Sequence, residues 1–237
     1  MTARERNREV ILQSAARAIA DKGYHGMSMR QLARETGRGL ASFYNYFASK
    51  EDVLFALQVG AFETLLEALD QALRGVVDPV GRLHVLVLNH VRYFTDHPEV
   101  MRILVHEATA LPADRRSPVR VLKERYFETG RDILRDVLQR GCGRPGTGSP
   151  TSVDEAELER VTYAVFGMLN WVWGWYDPER HGSDRDVART IHRVAVCGMV
   201  ADCPHRPEQS VAEAALDDVP RPSPLRCAAL AGRELPT

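Results

Sequence analysis

Residues 24–51 read YHGMSMRQLARETGRGLASFYNYFASKE. Ser28 has the side chain of a helix N-cap, whose hydroxyl can satisfy a free backbone N–H, so a short helix is predicted over 29–36. Gly37 permits a left-handed turn. A second short helix is predicted over about 40–46. Leu32, Ala33, Phe43 and Phe47 supply a small core for the pair, with Ile11 and Ala15 packing across from the preceding helix. The outward positions of the second helix are small or hydrogen-bonding: Gly39, Ala41, Ser42 and Asn45. Two short helices around a glycine turn, the second small, polar and aromatic, form the pattern of a helix-turn-helix that enters the major groove of DNA.

The chemistry at each position follows from that geometry. Small residues let a helix sink into the groove, and Ser and Asn can meet phosphates or base edges. The candidate DNA contacts are Ser28, Arg30, Arg38, Gly39, Leu40, Ala41, Ser42, Tyr44, Asn45, Tyr46 and Lys50. Tyr44 and Tyr46 place hydroxyls on the flanks. Lys50 starts the next helix, whose free amides and positive dipole end suit a phosphate. Duller roles exist for some of these: Ser28 caps its helix with or without DNA, and the tyrosines could be packing residues. Charge points the same way. Residues 1–50 carry a net +5 and the rest of the 237-residue chain −6, a basic head on an acidic body.

Outside this stretch the apolar spacing fits helices almost throughout, with no period-2 strand pattern. The fold class expected is all-α. A first helix over 4–22 buries Ile11, Ala15, Ala18 and Ile19 and ends at Gly23. Beyond the motif, helices are predicted over about 50–74, 79–96, 99–110, 119–140, 154–176 and 183–201, about nine in all. Pro112 and Pro118 bound a connector before the seventh. The segment 141–152, GCGRPGTGSPTS, reads as a flexible loop. Six of the 13 prolines fall in 204–237, which is expected to be a disordered tail. The domains expected are 1–49, a helix-turn-helix DNA-binding domain, 50–203, a helical effector-binding and dimerisation domain, and the tail.

Several function classes are excluded. No GxSxG, HExxH, Walker A or Rossmann glycine pattern occurs, so no catalytic residue is assigned and an enzyme is not expected. Cys142, Cys197, Cys203 and Cys227 form no CxxC pair and read as cytosolic thiols; a metal site on Cys203, His205 and Cys227 would need the tail to be ordered. No metal and no cofactor is expected. No apolar run of 18 residues predicts a membrane span, and the polar, basic 2–9 lacks a signal-peptide core, which reads as cytoplasmic.

The run 23–54, GYHGMSMRQLARETGRGLASFYNYFASKEDVL, resembles the TetR/AcrR family of bacterial transcriptional regulators. The spacing from Gly37 through Tyr44, Phe47, Lys50 and Glu51 carries the likeness. Two positions depart from it: Gly39 stands where the family usually caps with Ser, and Ala41-Ser42 replaces a Gly-Thr/Ser pair. The resemblance implies nine helices, an effector pocket in the body, and a homodimer through the eighth and ninth helices. The segment 170–188, NWVWGWYDPERHGSDRDVA, is similar to members that control lipid and sterol catabolism and sense acyl-CoA thioesters.

The function expected is a dimeric repressor on a palindromic double-stranded DNA operator, released by a small apolar effector, with an acyl-CoA as the candidate. A DNA-binding regulator without an effector and an activator are the alternatives. Candidate pocket residues are Asn89, His90, Tyr93, His106, Tyr126, Asn170 and Trp171, with Arg92, Arg102, Arg120 and Arg125 as options for holding the phosphates of a thioester.

Overall fold

The computed structural model describes residues 3–140 and 152–199. The glycine-rich loop and the proline-rich tail, with Cys142, Cys203, His205 and Cys227, lie outside the described residues. Among the described residues there are ten α-helices, one 3₁₀ turn and no strand.

The first three helices build the motif. α1 (Ala3–Lys22) buries Ile11, Ala15, Ala18 and Ile19, the stripe its spacing predicts. α2 (Met29–Glu35) starts with a reciprocal cap: the Gln31 amide donates to the Ser28 hydroxyl, and the Ser28 amide donates to the Gln31 side chain at 2.8 Å. Gly37 has φ +67°, where a β-carbon is strained, so the turn requires glycine. α3 (Leu40–Tyr44) is only five residues long, shorter than the predicted 40–46. It cannot persist alone, and the fully buried Phe43 ties it to the core.

The body consists of α4 (Lys50–Ala72), α5 (Pro79–Asp96), α6 (Pro98–His106), α7 (Ala113–Arg140), α8 (Glu155–Asn170), α9 (Pro178–His181) and α10 (Asp184–Met199). Ser49 and Asp78 cap α4 and α5 through their side chains. α5 is central, packed by α10, α7 and α4, and α7 packs against α4 and α8.

Three boundaries differ from the sequence expectations. α6 stops at His106 rather than near Ala110, because Glu107 makes bonds to other elements, described below. α7 begins at Ala113 and runs through Pro118. The ring removes one amide near the helix start, a loss that the packing of Val119 and Tyr126 outweighs. The predicted eighth helix breaks at Trp171 into a 3₁₀ turn, Val172–Gly174, and the four-residue α9 follows, so the element predicted as the ninth helix is α10.

α7 and α8 approach closely at Gly130. A β-carbon there would stand 2.8 Å from the Phe166 ring, so glycine sets how far that ring withdraws from the cavity described next.

Candidate functional site

Two surfaces hold the sequence-predicted residues. On the α2–α3 unit, Arg30, Gly39, Ala41, Tyr44 and Asn45 are exposed, while Arg38, Leu40, Ser42, Tyr46 and Lys50 are half-buried. Tyr44 is 49% exposed, which leaves its ring without a packing role of any size. Gly39 has φ −66° and ψ 146°, open to any residue, and a β-carbon there would meet nothing within 4 Å. The fold therefore does not demand a glycine at position 39.

Other candidates are engaged within the chain. The Ser28 hydroxyl serves as the α2 cap. Arg38 donates to the Asn7 side chain at 3.2 Å and lies over the Tyr46 ring. Leu40 packs against the core. Lys50 donates to the carbonyls of Met27 at 3.2 Å and Tyr24 at 3.4 Å, with its ammonium 4.4 Å from the Tyr24 ring. It clamps the loop between α1 and α2. Arg4, which sequence reasoning passed over, donates to the Asn45 carbonyl at the end of α3. Its signal was only the basic N-terminus.

The second surface is a cavity of about 790 Å³ between α4, α5, α6, α7 and α8. Its depth is apolar and aromatic, formed by Phe62, Leu65, Phe94, Met101, Phe166 and the pair His90 and Tyr126. Its mouth carries Arg116, Arg120 and Lys123, all exposed. Their spacing of four and three residues sets them on one face of α7. Arg120 pairs with Glu124 at 3.7 Å, both largely in solvent, a contact that binds weakly.

His90, Tyr126 and Asn170 line this cavity, as expected from sequence. The other four pocket candidates do not. Asn89 faces α4 and donates to the Leu65 carbonyl at 3.1 Å. Tyr93 packs edge-on against Phe94 and His97. His106 borders a separate cleft of about 250 Å³ beside α1. Trp171 sits on the outer surface, 61% exposed, because the helix ends before it. Of the four arginines, Arg120 alone borders the cavity; Arg92 pairs with Asp184, Arg102 with Asp21 and Arg125 with Asp70.

His90 is buried among Phe94, Tyr126 and Phe166. With no charged partner, burial pushes its imidazole down to about 3, so the ring is neutral. Burial likewise pushes the Tyr126 hydroxyl above its ordinary range.

Cavity and motif are joined by polar contacts at the α6–α7 connection. Glu107 accepts a hydrogen bond from the Tyr24 amide at 3.1 Å, and its own carbonyl accepts from Gln58, a cavity residue, at 3.1 Å. One residue before Arg116, Arg115 bonds Asp52 in the first turn of α4, whose carboxyl also accepts from Ser49. Burial would raise the Asp52 carboxyl, but the bonds from Arg115 and Ser49 hold it below the usual range. The Tyr24 hydroxyl donates to Glu51 at 3.1 Å. The connection that borders the cavity thus also holds the start of α4 and the loop before α2.

This arrangement matches known proteins. The model of bacterial regulatory proteins of the tetR family matches residues 11–57, and that of the tetracyclin repressor-like C-terminal domain matches 76–199, more than half of the chain. The chain belongs to the TetR family. It is similar to the HTH-type transcriptional regulator HbdR of Aromatoleum sp. (strain CIB), 25% identical over 170 residues that cover 71% of this chain and 72% of HbdR. Among solved structures it is similar to the TetR-family regulator PfmR of Thermus thermophilus, with 30% identity, a TM-score of 0.67, and coverage of 78% of this chain and 96% of PfmR. It also shares the fold of AibR, solved in complex with isovaleryl coenzyme A and operator DNA, at 24% identity and a TM-score of 0.66, over 79% of this chain and 97% of AibR. This TetR-family protein is a DNA-binding transcriptional regulator rather than an enzyme. No helix among the described residues is long and apolar enough to cross a membrane.

Proposed function

We propose that this regulator is a homodimeric repressor of a palindromic operator, released when an amphipathic anion of the acyl-CoA type enters the α4–α8 cavity. In this reading 1–49 is the DNA-binding domain and 50–203 binds effector and partner. One observation carries it: an apolar cavity of about 790 Å³ whose mouth bears three cations on one face of α7. A cavity of that size takes a drug-sized ligand. The acyl chain and pantetheine arm lie inside, and the nucleotide phosphates stay with Arg116, Arg120 and Lys123. The likeness to AibR is one of fold alone; the cations are this chain's own reason.

Two α3 helices enter successive major grooves about 34 Å apart. The open space over Gly39 supports close approach to the bases there. The dimer forms through α8 and α10. Tyr163 and Gly167 on α8, at the rim of the cavity, and Trp171 at the helix's C-cap lie four residues apart, all exposed, with Trp175 and Val194 also in solvent on the turn after α8 and on α10. Such an aromatic face suits an interface core. The effector acts only through its differential affinity for the two body geometries, and the Glu107 and Arg115 contacts are the parts that sense it.

The test is fluorescence anisotropy on DNA upstream of the protein's own gene, with and without long-chain and sterol-derived acyl-CoAs. Tight, salt-sensitive binding released by one thioester supports the whole reading. Tight binding that no thioester releases keeps the operator and discards the acyl-CoA. Within the head, Tyr44→Phe should weaken every operator by the same factor, roughly three- to tenfold, and leave dimerisation intact, as for a phosphate contact. A changed preference among operator sequences would instead make Tyr44 a base reader.

A further inference from the structure

One glycine of α7 runs against helix chemistry. Inside a helix glycine gives up more conformational freedom than alanine, so it weakens the helix unless a neighbour needs the room. Gly130 is buried well inside α7, where no turn asks for a glycine. The neighbour that needs the room is Phe166 of α8. A β-carbon on residue 130 would stand 2.8 Å from both Cε2 and Cζ of that ring, and 3.3 Å from Leu86. The tip of the ring thus fills the place of the missing side chain. Arg116, Lys123 and Gly130 lie seven residues apart, two turns each, so one stripe of α7 leads from the cations at the mouth to Phe166 in the depth, about 10 Å beyond Lys123. Phe166 lines the cavity, and Gly130 stands behind it. On its other sides the ring meets Phe127 at 5.1 Å, Tyr126 at 6.0 Å and His90 at 6.2 Å, centroid to centroid. Close-packed neighbours do not yield readily, so the open side of the ring is the cavity.

We propose that Gly130 and Phe166 form a length stop for the effector's apolar tail: the Phe166 ring is the end wall, and Gly130 sets how far back that wall stands. The inference rests on the cavity being the effector site and adds a selection among acyl chains. The head is the same for every coenzyme A thioester, so the cations at the mouth cannot tell one chain from another. The depth can. Each methylene taken out of water adds about fourfold in affinity. A tail that has reached the ring gains nothing from a further carbon, which must fold back or strain the packing. Affinity therefore climbs with chain length to a limit and stops there. The effector is a thioester whose acyl chain just reaches Phe166, and its longer homologues bind no better. A side chain at position 130 would drive the ring into the cavity and shorten the limit, although residue 130 touches no ligand.

The test titrates straight-chain saturated coenzyme A thioesters, from butyryl to palmitoyl, calorimetrically into the full-length protein. In the parent, affinity is expected to rise with each added carbon and to stop rising at one length. In Gly130→Ala that limit moves to a shorter chain: the thioester at the parental limit loses at least about fourfold, one methylene's burial, and those well below it keep parental affinity. In Phe166→Leu, which draws the wall back, the limit moves to a longer chain. The double variant, with the added methyl facing the smaller side chain, returns toward the parental limit. A role in stability alone lowers affinity by one factor at every length and moves no limit. Should Gly130→Ala fold poorly, the limit in Phe166→Leu decides the matter. A limit that neither variant moves, a loss equal at every length, or a parental affinity that climbs without a stop through palmitoyl overturns the inference and leaves the effector reading standing. Failure of every thioester to bind overturns both.

Discussion

Phe43→Ala is expected to lower operator affinity by at least a hundredfold while the cavity still binds its ligand. α3 has five residues and its glycine N-cap offers no side chain, so its own hydrogen bonds cannot hold it. Phe43 is fully buried and packs 5.8 Å from the Phe47 ring. Truncating a buried Phe to Ala costs about 3–5 kcal/mol. That cost falls on the smallest cooperative unit that contains the residue, and local units open well below the global stability. A loss of about 3 kcal/mol is already more than a hundredfold in affinity if it must be recovered on binding. None of the cavity lining comes from α1, α2 or α3. All three tryptophans lie at 171–175, so indole fluorescence reports on the body alone. The expected result is lost anisotropy on operator DNA beside an unshifted tryptophan unfolding transition. Operator binding within a few-fold of the parent would mean that α3 is held by something other than its buried aromatic.

The motif was legible because its determinants are local. The Ser28 cap, the Gly37 turn and the α1 stripe each depend on residues a few positions apart, and each stands where the sequence places it. The cavity was legible only in part because its wall is assembled from five helices. His90 and Tyr126 were found through their place on apolar faces. Trp171 was misplaced because nothing local shows that α8 stops one residue earlier, and His106 because α6 turns it toward α1. The mouth was hidden by Pro118. With Pro112 and Pro118 taken as bounds, 113–118 reads as a connector, and Arg116 has no helical phase relative to Arg120 and Lys123. Once α7 starts at Ala113, the three fall on one face. Glu107 and Arg115 belong to the same lesson. Their partners, Tyr24 and Asp52, stand 83 and 63 residues away, and no spacing rule reaches that far.

The triple variant Arg116→Ala, Arg120→Ala, Lys123→Ala is expected to weaken release by coenzyme A thioesters on the order of a hundredfold. Hydrogen bonds to charged groups are the stronger kind, but each of these side chains is well solvated, so about tenfold per cation is an upper figure. Three such losses, discounted for screening, give the hundredfold. The fold should not suffer, since all three side chains are exposed and the Arg120 ion pair is with the equally solvated Glu124. Operator affinity without effector should therefore match the parent, because the three stand on α7, away from the DNA-contacting helices. Salt supplies a second reading of the same experiment. In the parent, thioester affinity should fall as salt rises, and in the variant that dependence should flatten. A neutral probe of the same length, methyl dodecanoate, should bind both proteins alike, because it needs only the apolar depth. If thioesters release the variant at parental concentrations, the cations are solvated surface and the effector's charge is met elsewhere. If the variant loses the thioester and keeps the methyl ester, the anionic end is fixed at the mouth and the apolar end lies in the depth of the cavity.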